Sequence, residues 1–387
     1  MRPCPEVPDA VPRSVAGAPS LPTERTAPPG CADVAESQLE GLCTALGWGA
    51  PDARARALLR GFTSTWTQRP RAEGPRFSAV ADDGSPYEFS LAFTPGRAEL
   101  RVLVEAQSEP ATAAGYWAAG RALTDSLART LKKERAPLDG VLDLFVPRGP
   151  RNFCALWHGL RFTPGRDPDV RLYLDPHARG PGSAPEVVAE VLERLGLEAS
   201  RPEVDAVLAG GRLGLGLLAL DLGAPSRVKL YFSAPGLTAD EVEATVAHAV
   251  DAVPGEARAF FRQVLGTVGP HPGPPLRVCF TLDAATGGRL SRPVTDLTVG
   301  TLDDSTVTAR TREVLRGHGL DVAAYERCLE VMASAPEAPG HGLHPVLSFQ
   351  RDRGEPRVTA YLAPRLYPTG GEDTGPRKHA LWRAWNA

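Results

Sequence analysis

The chain has 387 residues, 42% of them hydrophobic, so it can bury a sizeable core as one large domain or two ordinary ones. Its formal net charge of -3 at pH 7 predicts no general attraction to nucleic acid or to an anionic membrane, so we expect neither as a partner. No segment resembles a membrane span or a secretory signal, and six widely spaced cysteines suit a reducing compartment, so we expect a cytoplasmic protein.

Residues 1–34 are rich in proline, alanine and small polar residues and lack hydrophobic periodicity. This composition predicts a disordered or loosely attached arm, followed by a single domain of residues 35–387. Beyond the arm, pairs of helices alternate with pairs of short strands. We predict strand pairs at 87–93 with 99–105, 153–162 with 170–174, 215–222 with 227–232, 276–282 with 294–302, and 344–350 with 357–362.

The spacing of the strand pairs indicates an internal repeat of about 60 residues. Short turns make the strands of each pair antiparallel, and ten such strands can close into a barrel with a polar lumen. Parallel strands would be apolar on both faces, whereas these strands alternate between polar and apolar residues. We therefore predict an α+β fold, a closed antiparallel ten-stranded barrel built from five αββα repeats. Its helices would lie outside and its active site in the lumen.

Three of the predicted strands repeat a pattern in which basic residues and a tyrosine share one face. The pattern occurs in Arg171-Leu172-Tyr173, in Arg227-Val228-Lys229-Leu230-Tyr231 and in Arg357-Val358-Thr359-Ala360-Tyr361. Residues two apart on a strand point to the same side, so the cations and phenols would line one surface. Burying such a row of cations costs free energy unless an anion meets them. The pattern therefore predicts a site for a polyanionic group beside an electron-poor carbon.

In these strand pairs the sequence resembles the aromatic prenyltransferases of the dimethylallyltryptophan synthase type, and the shorter bacterial members most. The resemblance extends from about Ser37 to the end. It implies transfer of a dimethylallyl group from its diphosphate to an indole ring, without a metal ion or other cofactor. The implied diphosphate-binding residues are Arg101, Arg171, Arg227, Lys229 and Arg357, and the implied carbocation-shielding residues are Tyr173, Tyr231 and Tyr361.

Two catalytic residues on the acceptor side follow from the same resemblance. Glu88 matches the indole-binding glutamate of the first strand; the alternative is a solvent-facing strand acid. Fungal members carry a catalytic lysine thirteen positions before the basic residue of the second repeat, where this chain has His158. An imidazole could take the proton from the prenylated ring, because its pKa lies near neutrality. The alternative is a core histidine beside Trp157.

The fourth repeat departs from the pattern, because the second strand of its predicted pair contains no tyrosine. Counting along that strand puts Thr298 at the basic position and Gly300 at the tyrosine position. A missing phenol would enlarge the donor pocket, and each additional buried methylene stabilises a ligand by about 0.8 kcal/mol. We therefore expect Gly300 to permit a donor longer than five carbons, unless another side chain such as Phe280 fills the space.

Magnesium motifs of the D-D-x-x-D form are absent, since the pairs Asp82-Asp83 and Asp303-Asp304 both lack the last acid. We therefore expect a metal-independent aromatic prenyltransferase, acting as a monomer or homodimer on two small molecules. The expected donor is dimethylallyl diphosphate and the expected acceptor an indole, with tryptophan or a derivative first. The alternatives are a phenolic or other aromatic acceptor, and a non-catalytic protein that binds an organic phosphate.

Overall fold

The structure is a computed structural model that describes residues 30–51, 53–64, 78–149, 154–180, 182–223, 227–333 and 340–367. Most of the predicted arm, residues 1–29, lies outside these stretches, as do residues 368–387. The first helix begins at Cys31 and already buries Cys31 and Ala32, so the predicted boundary after residue 34 falls inside a packed helix. None of the described helices combines the length and apolar character that a membrane span requires.

Ten antiparallel strands form a closed barrel in the order β1-β10-β9-β8-β7-β6-β5-β4-β3-β2. They are β1 (Tyr87–Thr94), β2 (Arg97–Glu105), β3 (Trp157–Phe162), β4 (Asp169–Leu174), β5 (Gly214–Asp221), β6 (Arg227–Ala234), β7 (Leu276–Asp283), β8 (Ser291–Thr298), β9 (Val346–Asp352) and β10 (Glu355–Leu362). The first and last strands pair with each other, and Ser90 lies opposite Tyr361. Every strand edge is therefore satisfied, as a closed barrel requires.

Among the described residues, two α-helices precede each of the five hairpins. They are α1 (Cys31–Ala45), α2 (Ala53–Thr63), α3 (Ala113–Leu131), α4 (Ala136–Asp139), α5 (Ala184–Arg194), α6 (Arg201–Leu208), α7 (Ala239–Val246), α8 (Glu256–Leu265), α9 (Asp304–Gly317) and α10 (Val322–Ala333). Three of them begin at a polar cap, α3, α7 and α9; the hydroxyl of Thr112, for example, accepts a hydrogen bond from the Gly115 N–H at the start of α3. The predicted fold is confirmed.

Strand β6 illustrates how the alternating sequence separates two environments. Val228, Leu230 and Phe232 are fully buried in the large apolar core between the sheet and the helices. Burying each such side chain stabilises the fold by roughly 1.5–3 kcal/mol. Arg227 and Tyr231, on the opposite face of the strand, point into the lumen instead. The core therefore lies around the barrel, and the lumen stays available for polar side chains.

A smaller apolar cluster lies inside the barrel. It contains Ala79 and Val80, from the segment that leads into β1, together with lumen-facing residues such as Trp157, Leu217 and Tyr231. Ala79 and Val80 have no solvent-exposed surface. Ala79 and Val80 therefore pack against the apolar side chains inside the barrel.

Candidate active site

A cavity of about 230 Å³ occupies the lumen, and its lining combines aliphatic residues with three classes of side chain that can carry chemistry. The cations are Arg101, Lys133, Arg161, Arg171, Arg227 and Arg277; the carboxylates are Glu88, Asp169, Asp221 and Asp296; the aromatic residues are Trp157, Tyr173, Tyr231 and Tyr361. Seven of the residues predicted from sequence thus come together on one surface. Sites that bind and orient small molecules have this combination of polar groups and aromatic walls.

Two of the predicted cations share one carboxylate. Arg171 on β4 donates from Nε to Oδ1 of Asp221 at 2.6 Å, and Arg227 on β6 donates to its other oxygen. Burial would raise the pKa of Asp221, but Arg171 and Arg227 outweigh that effect and lower the pKa. Asp221 stays ionised and holds the two guanidinium groups side by side, facing the cavity.

A second cationic cluster is organised around Glu99 on β2. Its carboxylate accepts hydrogen bonds from Arg101, at 3.2 Å, and from Arg357. Burial would raise the pKa of Glu99, but Arg357 and Arg101 lower it to about 2. Arg101 lines the cavity, whereas Arg357 lies behind it, bound to Glu99 and, at 3.3 Å, to Asp352. Burial, and then the charge of Arg101, lower the pKa of Arg357 to about 10.

Lys229 lies on the same strand face as Arg227 and Tyr231, as the period of two predicted, and is half-buried. Its Nζ is 5.5 Å from the centroid of the Tyr231 ring. At this distance the ring quadrupole attracts the ammonium group by about 0.5–1 kcal/mol. Lys229 is not among the residues that line the cavity surface, so it lies at the edge of the cationic group.

The predicted tyrosines form an aromatic wall. The ring centroids of Tyr173 and Tyr231 are 6.1 Å apart, at an interplanar angle of 48°. A Cβ atom at Gly159 would lie 3.1 Å from Cε2 of Tyr173, so glycine at this position of β3 lets the ring lie across the strand. Burial raises the pKa of both Tyr231 and Tyr361, which keeps these phenols neutral.

Glu88 on β1 is 3% exposed and lines the cavity. The solvent-facing alternative for this residue is therefore wrong. Arg277 and Asp296 lie in the same part of the cavity and form an ion pair with an N–O distance of 3.6 Å. Burial would lower the pKa of Arg277, but Asp296 outweighs it and, with Glu88, raises the pKa. Glu88 thus belongs to a charged group separate from the cations around Asp221.

His158 faces away from the lumen. It is fully buried, and its Nε2 lies 2.9 Å from Oγ1 of Thr124 on α3. Burial lowers its pKa to about 3, so it is a neutral core residue and not a proton acceptor in the cavity. The prediction chose His158 because it lies thirteen positions before Arg171. The residue paired with Arg171 is instead Gly159, twelve positions before it. A difference of one residue reverses the strand face.

We expect His158→Gln to leave turnover within about twofold and to lower stability by roughly 1–3 kcal/mol, because it disturbs a buried hydrogen bond. Steady-state kinetics on the folded variant and denaturant unfolding would measure the two effects. A hundredfold loss of turnover in a folded variant would contradict this structural role.

Gly300 does not line the cavity, whereas the sequence predicted that it borders the donor pocket. Strand β8 ends at Thr298, and Gly300 lies in the following turn, where an added Cβ would be 3.2 Å from Oδ2 of Asp82. The pairing of β7 with β8 also contains a register shift, which the sequence pattern did not reveal. Phe280 packs against Phe232, at 5.8 Å between ring centroids, in the core outside the barrel. Neither residue is among those that line the cavity.

Sequence reasoning missed an acid that holds one of the aromatic residues of the cavity. Glu105 is 1% exposed and accepts hydrogen bonds from Nε1 of Trp157, at 2.9 Å, and from Oγ of Ser78, at 2.7 Å. Burial raises its pKa from 4.5 to about 7, although both donors oppose the shift. Glu105 therefore fixes the indole ring of Trp157, which lines the cavity.

The raised pKa of Glu105 predicts a pH-dependent stability. A carboxyl group with a raised folded-state pKa contributes stability below its unfolded pKa of 4.5, and this is lost as pH rises through about 7. At about 1.4 kcal/mol per pKa unit, the loss is on the order of 3 kcal/mol. We expect the free energy of unfolding to fall more for the wild type than for Glu105→Gln between about pH 5 and pH 8.5. Denaturant unfolding of both proteins checks this, and a constant difference between them would contradict it.

Two further cations were missed because they lie on the first strands of hairpins. The predicted pattern concerned second strands, whereas Arg161 is on β3 and Arg277 on β7. Arg161 follows Gly159 by two positions, so its direction could have been inferred from the alternation. In the described part of the chain, no group of three or more His, Cys, Asp or Glu residues is placed to hold a metal ion.

Solved structures with this barrel provide a comparison. A 6-dimethylallyltryptophan synthase from Micromonospora olivasterospora, in complex with DMASPP and Trp, matches with a TM-score of 0.81 at 29% identity, over 87% of this chain and 98% of that chain. A 5-dimethylallyl tryptophan synthase from Streptomyces coelicolor, also with DMASPP and Trp, matches with a TM-score of 0.77 at 30% identity, over 90% and 99%.

A third match is closer in sequence. Prenyltransferase PriB, in a ternary complex with L-tryptophan and dimethylallyl thiolodiphosphate, is 31% identical, with a TM-score of 0.79 over 89% of this chain and 99% of that chain. No protein-family model matches the sequence. Identity at this level over nearly the whole of both chains extends beyond a shared fold. The chain belongs to the aromatic prenyltransferases of the dimethylallyltryptophan synthase type.

Proposed function

We propose that the protein transfers a dimethylallyl group from dimethylallyl diphosphate to the indole ring of tryptophan or a derivative. The observation that carries the proposal is one cavity that combines a cationic cluster, an aromatic wall and a separate buried carboxylate. The similar proteins described above bind tryptophan and a thiolo analogue of this donor. The reaction is a carbon–carbon bond formation in which the ring loses a proton and the donor loses diphosphate.

On the donor side, Arg101, Arg171 and Arg227 bind the diphosphate, with Lys229 at the edge of the group. Negative charge grows on the leaving diphosphate as the allylic carbon–oxygen bond breaks, and fixed cations stabilise that charge. A single contact at about 4 Å contributes on the order of 4 kcal/mol at an effective dielectric constant near 20. Arg357 supports this group indirectly, since it shares Glu99 with Arg101.

The allylic cation must be kept from water until the acceptor attacks it. Tyr173, Tyr231 and Tyr361 shield it, because a phenol face attracts a cation by roughly 0.5–2 kcal/mol and excludes solvent. Burial keeps the phenols of Tyr231 and Tyr361 protonated, so they do not compete as nucleophiles.

On the acceptor side, Glu88 accepts the indole N–H and orients the ring. A carboxylate at this position also raises the electron density of the ring, which favours attack on the cation. Because His158 lies outside the lumen, the proton of the arenium intermediate goes to a base within the cavity. The carboxylates of Glu88 and Asp296 and the departing diphosphate are the candidates.

The proposal includes a reaction without a metal ion, in the cytoplasm, by a monomer or homodimer that acts on small molecules alone. Arginine and lysine side chains take the part that magnesium plays in other prenyl transfers, which is to stabilise the diphosphate. Size-exclusion chromatography with light scattering would establish whether the protein is a monomer or a dimer.

One assay tests the activity. The protein is incubated with dimethylallyl diphosphate and, separately, tryptophan, simple indoles and phenolic compounds, with and without EDTA, and products are read by mass. We expect tryptophan to gain one dimethylallyl group at a rate that EDTA leaves unchanged. A loss of activity that magnesium restores would contradict the metal-free reaction. Prenylation of the phenolic compounds alone would show that the acceptor is a phenol and not an indole. Diphosphate binding without any product would indicate a non-catalytic binding protein.

A further inference from the structure

The cations that line the cavity differ in how their charge is balanced. Five of the six form an ion pair with a carboxylate; the exception is Lys133, for which the described part of the chain shows no such pair. The five pairs are Arg101–Glu99, Arg161–Asp169, Arg171–Asp221, Arg227–Asp221 and Arg277–Asp296. Lys133 is also the only one of the six that no barrel strand carries.

Helix α3 brings Lys133 to the cavity from outside the barrel. The helix ends where Lys132 adopts a left-handed conformation, with a φ of 51°, and the Lys133 N–H then donates to the Ala128 carbonyl at 2.9 Å. This reversal of the chain directs Lys133 towards the hairpin between β5 and β6. Lys132, in contrast, is exposed to solvent.

Gly223 in that hairpin provides the space that Lys133 occupies. A Cβ atom at Gly223 would lie 2.8 Å from Cδ and 2.9 Å from Cβ of Lys133. Gly223 itself lines the cavity, as do Asp221 and Arg227 on the two strands that the hairpin joins. The lysine side chain therefore crosses the hairpin at a glycine and reaches the same part of the cavity as the arginine pair on Asp221.

We propose that Lys133 binds the diphosphate of the donor at the mouth of the barrel. The inference rests on the proposed function and adds a residue from the helical layer to its donor site. The arginines around it already share their charge with carboxylates, whereas an ammonium group without such a partner is free to compensate the anion. A flexible lysine stem also suits an anion that must arrive and later leave.

Binding of inorganic diphosphate, without an acceptor, tests the inference. Isothermal titration would compare the wild type, Lys133→Gln and the adjacent control Lys132→Gln, which removes the same charge from an exposed residue. We expect Lys133→Gln to weaken diphosphate binding about tenfold, with a shallower dependence on salt, as one charge-assisted hydrogen bond predicts. Lys132→Gln should stay within about twofold of the wild type.

A second pair of variants tests the route across the hairpin. Gly223→Ala and Gly165→Ala replace glycines with nearly equal φ values, +74° and +71°, but only the former has Lys133 in contact. We expect Gly223→Ala to weaken diphosphate binding as Lys133→Gln does, and Gly165→Ala to leave it unchanged. Wild-type affinity in folded Lys133→Gln would overturn the inference while leaving the proposed function intact. Failure of the wild type to bind diphosphate would overturn both.

Discussion

Arg171→Ala is expected to lower kcat/KM for dimethylallyl diphosphate by about 10²–10³, the loss typical of removing one group that stabilises charge in a transition state. Arg171 faces the cavity beside Arg227, and Asp221 holds both. Its interaction with the diphosphate grows as the carbon–oxygen bond breaks, so kcat should fall and not only the affinity. Steady-state kinetics with the donor varied at saturating tryptophan would measure both.

Arg166→Ala is the matched control for this variant. Arg166 lies in the turn of the same β3–β4 hairpin and is exposed, so its removal should change kcat/KM by less than about twofold. Thermal unfolding of both variants verifies that the barrel is intact, since Arg171→Ala leaves Asp221 paired with Arg227 alone. A folded Arg171→Ala enzyme with wild-type kinetics would remove Arg171 from the donor site.

Glu88→Gln is expected to lower kcat/KM for tryptophan by about 10² or more while leaving diphosphate affinity within about twofold, because a buried charge-assisted hydrogen bond to the indole is lost. The substitution preserves shape, so the cavity keeps its volume. Glu355→Gln, at an exposed acid on β10, is the control. Titration with diphosphate separates donor binding from acceptor binding.

A substrate analogue sharpens this test. 1-Methyltryptophan cannot donate the ring N–H, so the wild type should use it poorly, and Glu88→Gln should add little further loss. If Glu88→Gln lowered kcat/KM equally for tryptophan and for 1-methyltryptophan, the effect of Glu88 would not depend on the indole N–H. A fall in diphosphate affinity as large as the fall in kcat/KM would assign Glu88 to the donor side.

The fold was predictable because its signal repeats. Five hairpins, each with alternating polar and apolar residues, independently favour the same barrel, and an error in one does not alter the architecture. The lumen face of β6 followed from the period of two in Arg227, Lys229 and Tyr231. Pattern reasoning is strong where one rule applies many times.

The site was less predictable, since single positions depend on register. His158 and Gly300 were assigned by counting along the chain, and a hairpin one residue shorter or a strand ending earlier moves a side chain to the other face or off the strand. Acidic partners such as Asp221 and Glu99 were not foreseen, because their role depends on cations from neighbouring strands. Lys133 was missed because it follows helix α3, and the alternation of side chains along a strand gives no information about a residue outside the strands.

The pairing of β1 with β10 has a consequence for how the enzyme is made. Ser90 and Tyr361 lie opposite each other although nearly the whole domain separates them in sequence, so the lumen is complete only after the last hairpin joins the first. Until then, β1 and β9 present open edges that can pair with other chains. Contacts between such distant segments form slowly, which prolongs the exposure of those edges. A nascent chain that stops before β10 therefore has a partial sheet prone to aggregation, and no enclosed space in which a carbocation could survive.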